Sequence, residues 1–288
     1  MNMASAELFA PAGADALIRL RHVYKVYRIV DTGVVALAGI DLDITAGEFL
    51  AVVGPSGAGK STILNLIGGL DRSSAGVVEV DGRDLGLMSD RELTTYRNEQ
   101  VGFVWQGATR NLVPYLSVRD NVLLPALVRG SAAAARRRDA DELLAIVGMQ
   151  DRAGHRPGML SGGEQQRAAI AVALTLTPSI LLTDEPTAEL DSVSATTVLE
   201  AISAVNREFG VTVMMVTHDL AAARRADRRI RVLDGKILQE GTPVEPIGAD
   251  GRVRLPDAAV AALGGAELEA EMAHDELRLR RRGEPSDG

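Results

Sequence analysis

Residues 48–54 read EFLAVVG, an almost wholly apolar run about as long as one strand. With no polar residue at alternate positions, such a run predicts a strand covered on both faces. The same texture returns in VGFVWQ (101–106), SILLTD (179–184) and VTVMMVTHD (211–219). Helical patterns lie between these runs: PSGAGKSTILNLIGGL (55–70), the capped SDRELTTYRNEQ (89–100), SGGEQQRAAIAVALTLTP (161–178, stopped by Pro178) and SVSATTVLEAISAVNREFG (192–210, stopped by glycine). GVVEVDG (76–82) reads as a further strand closed by an Asp-Gly turn, and RIRVLDGKILQEG as a hairpin about Asp234-Gly235. Strands alternating with helices predict an α/β fold, a mostly parallel sheet with helices on both sides.

Two stretches depart from this rhythm. From Gly107 to about residue 160, helical patterns follow one another without strands (SVRDNVLLPALVRG, AAAARRRDADELLAIVGM), which predicts a helical subdomain inserted in the α/β core. Residues 245–288 form a separate unit in which AELEAEM and ELRLRRR alternate with period two. A hairpin turning at His274-Asp275 would set Glu271 against Arg278 and Glu269 against Arg280. It would also place Met272 against Leu277 and Ala270 against Leu279, unlike charges on one face and apolar side chains on the other. The competing reading is a loosely ordered charged tail. A lone hairpin is marginal in water, so it would need something to pack on, such as its own copy.

Composition narrows the classes. The chain has 288 residues, 46% apolar and only 3% aromatic, so Ala, Val, Leu and Ile must fill the core. A net charge of −8 argues against a nucleic-acid partner. The absence of cysteine excludes disulfides and thiolate metal sites. No apolar run is long enough to span a bilayer and no signal peptide is expected at the N-terminus, so membrane work would require another chain to supply the span.

The candidate chemistry begins at Gly54-Pro55-Ser56-Gly57-Ala58-Gly59-Lys60-Ser61-Thr62, whose first eight residues satisfy G-x-x-x-x-G-K-[ST] between a strand and a helix. The glycines let successive backbone N–H groups wrap phosphates, Lys60 reaches the β- and γ-oxygens, and the Ser61 hydroxyl can meet Mg²⁺. Phosphoryl transfer also needs an acid for the metal and a group that handles a water. ILLTDEPT (180–187) offers both: Asp184 for the Mg²⁺ shell and Glu185 as general base. A histidine at a strand end can be merely structural, but His218, beside a strand ending in Asp-Glu, points to a γ-phosphate contact. Gln106, also at a strand end, could sense metal and attacking water. A second anion-binding helix start, Ser161-Gly162-Gly163, lies about a hundred residues downstream.

Taken in order, the phosphate loop, Gln106, LSGGEQQR (160–167), ILLTDEPT, AELD (188–191) and His218 resemble the ATP-binding subunit of an ATP-binding-cassette (ABC) transporter across residues 17–244. LNLIGGLD and GEQQRAAIA look most like the branch serving lipoprotein release, macrolide-type export and the cell-division ATPase. The resemblance implies a P-loop NTPase core of RecA-like type with a small β-rich C-terminal appendage. It implies a homodimer closed head to tail on two ATP molecules with Mg²⁺, in which Ser161 and Gly163 contact the γ-phosphate held by the other copy and Asp191 aligns the interface. Tyr27 matches the aromatic that stacks on adenine, with Tyr24 a close competitor. The implied work is to power an integral-membrane permease from the cytoplasmic face, for export or extraction of a lipophilic or peptide cargo. A mechanotransmission complex driving an extracytoplasmic enzyme is the alternative. The tail is similar to the swapped-hairpin domain of AbrB-type regulators, and here would tether or regulate two cassettes.

Overall fold

The computed structural model describes residues 16–29, 32–107, 110–130, 139–241, 268–273 and 276–281. The chain divides into two compact units, Met1–Gly241 and Thr242–Gly288.

The larger unit contains two sheets. One is mostly parallel, in the order β10-β9-β3-β8-β7-β6. Its strands are β3 (Phe49–Val53), β6 (Val101–Val104), β7 (Ile180–Asp184), β8 (Thr212–Thr217), β9 (Arg228–Leu233) and β10 (Lys236–Gly241), the last antiparallel to β9. The other sheet is antiparallel, in the order β2-β1-β4-β5, from β1 (Ala16–Ile29), β2 (Thr32–Thr45), β4 (Ala75–Val80) and β5 (Arg83–Asp84).

Side chains of β3 alternate between two cores. Phe49, Ala51 and Val53 join one, built with helices α3 (Val118–Arg129), α4 (Ala140–Ile146), α5 (Gly162–Leu174) and α6 (Ser192–Phe209). Leu50 and Val52 join the other, shared with α1 (Lys60–Ile67), α2 (Asp90–Gln100) and inward residues of the antiparallel sheet such as Ile18, Leu20, Val78 and Val80. Helices therefore lie on both faces, as expected, and the face that carries α1 and α2 is covered in addition by the second sheet, to which the GVVEVDG strand belongs. That strand buries Val78 and Val80 and leaves Val77 exposed, so it has only one dry face.

Most helix starts follow the same chemistry. Ser89, Ser117, Asp139, Ser161 and Asp191 cap α2 to α6, and Asp219 caps the short α7 (Leu220–Ala223), each side chain accepting a backbone N–H of its own first turn. Ser89 with Glu92 and Ser161 with Glu164 complete capping boxes. Helix α1 is the exception: Gly59 stands at its cap with φ 102° and no side-chain bond.

In the smaller unit, β11 (Leu268–Ala273) and β12 (Glu276–Arg281) pair antiparallel. The register sets Glu271 opposite Arg278, Glu269 opposite Arg280, Met272 opposite Leu277 and Ala270 opposite Leu279, as the charge alternation required. The expected turn at His274-Asp275 lies outside the described residues, as do the other tail segments.

Candidate functional site

The phosphate loop joins the C-terminal end of β3 to α1. Gly57 and Gly59 hold positive φ (79° and 102°), and a Cβ on Gly59 would sit 2.5 Å from the Ala36 carbonyl. A Cβ on Gly54 would meet the Val232 carbonyl at 2.2 Å, so both positions demand glycine for lack of space. Ala58 packs into the core. Lys60 is buried, and its ammonium donates to the carbonyls of Gly54 (2.8 Å) and Pro55 (2.9 Å). The N–H groups opening α1 have no side-chain cap, which leaves them to a ligand, and the helix dipole favours an anion there.

A cavity of about 640 Å³ opens over this loop. Its walls bring together Pro55, Ser56, Gly57, Gly59, Lys60, Ser61 and Thr62 with Gln106, Asp184, Glu185 and His218, although 163 positions separate Pro55 from His218 in sequence (218 − 55). Ala36, from β2, also lines it and carried no sequence signal.

The Ser61 hydroxyl lies 3.3 Å from Asp184 Oδ1 at the end of β7. Burial pushes the Asp184 carboxyl above the ordinary carboxylate range; the Ser61 hydrogen bond opposes this, the Glu185 charge adds to it and Lys60 opposes it. A bound cation would favour the ionised form. Ser61, Asp184 and Gln106 present oxygen donors, which suits a hard divalent ion. Among the described residues no group of three His, Asp or Glu side chains forms a closed cage.

Glu185 occupies the left-handed region with φ 48°, a strained conformation for a side-chain-bearing residue. Its N–H is anchored to the Val216 carbonyl at 2.9 Å, tying the turn after β7 to β8. Its carboxylate lies 2.8 Å from His218 Nδ1 and accepts from the His218 backbone N–H at 3.3 Å. An ionised carboxylate can only accept, so Nδ1 carries the proton and Nε2 remains available.

The remaining sequence candidates sit elsewhere. Ser161 and Asp191 are exposed helix caps, and Gly163 packs α5 against α6, where an added Cβ would lie 3.0 Å from Ser194 Cβ. Gly162 lines a smaller cavity of about 120 Å³ with Gln106, Gln166 and Glu185. Tyr27, on β1, donates from its phenol to Asp71 Oδ2 (3.0 Å) and also bonds the Thr62 side chain, which places it beside the phosphate helix. Tyr24, the competing aromatic, projects instead toward Gly39, where an added Cβ would stand 2.9 Å from its hydroxyl. Sequence reasoning missed Lys25, whose ammonium lies 4.9 Å from the centre of the Tyr27 ring.

The family model for the ABC transporter matches residues 37–188. The lipoprotein-releasing system ATP-binding protein LolD of Myxococcus xanthus is 43% identical over 222 residues, covering 77% of this chain and 98% of its own. The macrolide export ATP-binding/permease protein MacB of Brucella melitensis is 45% identical over 231 residues, 80% of this chain but 35% of its own; the chain thus spans about a third of the length of that relative. Among solved structures, the dimeric post-hydrolysis state of the ATP-binding cassette MJ0796, bound to ADP and Pi, superposes with a TM-score of 0.69 at 40% identity. The match covers 78% of this chain and 98% of that one. With a family model spanning more than half the chain and a relative matched almost end to end, this protein belongs to the ABC transporter family and carries its ATP-binding, ATP-hydrolysing cassette.

Proposed function

We propose that two copies of this chain close head to tail on two ATP molecules, and that hydrolysis drives a separate integral-membrane permease from its cytoplasmic face. The cargo class that fits is a lipophilic or peptide molecule exported or extracted from the membrane. The observation that carries this reading is the uncapped start of α1, facing Asp184, Glu185 and His218 across one cavity. The relatives named for lipoprotein release and macrolide export support the direction and the cargo class.

In this reading Lys60 and the loop N–H groups hold the β- and γ-phosphates, and Tyr27 offers its ring to adenine. Ser61, Asp184 and Gln106 would hold Mg²⁺, which supplies charge neutralisation to the phosphates. Glu185 takes a proton from the attacking water. His218 keeps that carboxylate in place through Nδ1 and, when Nε2 is protonated, donates to a γ-phosphate oxygen. Ser161 and Gly163 contact the γ-phosphate held by the opposite copy, and Asp191 aligns the interface between the two. The tail of residues 245–288 acts as a swapped-hairpin tether between two cassettes.

Glu185→Gln tests the core of this reading. It should abolish turnover, preserve ATP binding and trap a closed dimer in sedimentation; near-normal hydrolysis would remove Glu185 from its role. In the same sedimentation runs, a chain ending at residue 244 should associate more weakly without nucleotide. An unchanged monomer–dimer balance would refute the tether.

A further inference from the structure

Among the described residues, Lys25 is with Lys60 one of two buried cations, 9% exposed, on a strand whose neighbouring inward residues are apolar. A buried ammonium is costly unless each of its donors is met. Here they are met by three different groups. Lys25 Nζ donates to Asp71 Oδ1 (2.6 Å) and to the Arg72 carbonyl (2.8 Å), and it also lies 4.9 Å from the centre of the Tyr27 ring, within cation–π range. The other oxygen of the same carboxylate, Asp71 Oδ2, accepts from the Tyr27 phenol at 3.0 Å. Lys25 and Tyr27 stand two apart on β1 and share its inner side, with Val26 exposed between them.

Asp71 is itself fixed to the phosphate helix. Leu70 N–H and Asp71 N–H both donate to the Asn65 carbonyl near the end of α1 (2.9 and 3.3 Å), and the Thr62 side chain bonds the Tyr27 phenol from the first turn. Phosphate loop and aromatic ring are therefore referenced to one helix of eight residues, about 12 Å long.

We propose that Lys25 and Asp71 are positioning residues for the nucleotide base: they lock the Tyr27 ring in one orientation and cover one face, leaving the other as a platform for adenine. This rests on the reading of Tyr27 as the adenine-stacking residue. The carboxylate fixes the ring's edge through the phenol, the ammonium occupies one face, and the base has a single side on which to stack. A ring held in this way loses little freedom when the base arrives, so the network acts on affinity by preorganisation.

The test is calorimetric titration of the full-length chain with ADP and, separately, with inorganic pyrophosphate, which carries the phosphates without the base. Lys25→Met and Asp71→Asn should each raise the Kd for ADP about three- to tenfold, the scale of one aromatic contact, and leave pyrophosphate unchanged. In a Tyr27→Ala background the two substitutions should have no further effect on ADP. Asp71→Asn keeps the shape of the side chain and carries the test if Lys25→Met does not fold. Equal weakening of ADP and pyrophosphate would mean general damage to the loop and would overturn the proposal, as would an unchanged Kd for ADP. If Tyr27→Ala alone leaves ADP affinity intact, the adenine-stacking reading is what fails, and the platform falls with it.

Discussion

Ser161 is asked to do two things at once, and they can be separated. Within its own chain its hydroxyl caps α5, accepting from Glu164 N–H at 3.2 Å, while the Glu164 carboxylate accepts from Ser161 N–H at 2.9 Å. The hydroxyl proton lies within hydrogen-bonding reach of the Glu164 carboxylate in its own chain, and the proposed recipient in the closed dimer is a γ-phosphate oxygen on the opposite copy. Ser161→Ala removes both functions: the lost cap should cost about 1 kcal/mol, which for a domain of this size lowers Tm by about 2–4 °C. Ser161→Asn keeps a cap of equal quality and puts a bulkier amide where the hydroxyl would meet phosphate. Its Tm should match the parent, while turnover falls by about 10- to 100-fold, the worth of one hydrogen bond to a charged group. The decisive assay mixes Ser161→Asn with Lys60→Ala, each nearly inactive alone. If the serine works in trans, the mixed dimer gathers both lesions in one site and leaves the other intact. Random pairing then restores about a quarter of parental ATPase activity, provided the sites fire independently. No recovery on mixing, with dimers shown to exchange, would refute the trans arrangement. A Ser161→Ala protein that melts with the parent would refute the capping argument.

Other consequences are simpler to measure. Tyr96 is buried and its hydroxyl donates to the Ile67 carbonyl at the end of α1 (2.6 Å); Tyr96→Phe strands that carbonyl and should cost about 1–3 kcal/mol in urea unfolding. A change below about 0.5 kcal/mol would show that the acceptor finds another partner. Acid titration should expose Asp71. Its burial alone would raise the carboxyl, but the bonds from Lys25, Arg72 N–H and Tyr27 together hold it below the usual value. A carboxyl depressed in the folded state stabilises above its unfolded pKa, about 4, and that stability is lost as pH falls through the folded value. Parent minus Asp71→Asn stability should therefore shrink between about pH 5 and the acid limit of folding. A difference that grows on acidification would reverse the assignment.

How much of this the sequence disclosed depended on whether the signal was local. β3, β7 and β8 were legible because strands covered on both faces are apolar almost throughout their interiors, with Thr183 of β7 the exception, and each ends on its chemistry: Gly54, Asp184-Glu185, His218. β4 was legible as a strand but not as a member of another sheet. The clue was Glu79, an alternate position that a doubly covered strand would not spare, here paired with Arg19 of β1 at 2.7 Å. The long β1–β2 hairpin escaped because bulges interrupt its alternation, with register shifts between Leu20 and Val23 and again between Lys25 and Val26. Lys25 and Asp71 were invisible for a different reason: 46 residues separate them, and neither forms part of a phosphate-binding or metal motif. The Ser161 cap could be read from S-x-x-E alone, since a capping box is complete within four residues.

Trp105 is the only tryptophan of the chain. It stacks flat on Phe103, ring centres 4.8 Å apart and planes within 3°, and its backbone is clasped by Asn111 through bonds of 3.0 and 3.1 Å. The next residue, Gln106, is in the wall of the nucleotide cavity. Excited at the red edge, where the four tyrosines do not absorb, the unlabelled protein therefore reports from a single indole, one peptide bond away from the side chain expected to sense metal and attacking water. Its emission isolates the movement of that strand end from everything else in the molecule, so occupancy of the cavity and the state of Gln106 can be followed in real time, even in a mixture with a tryptophan-free partner.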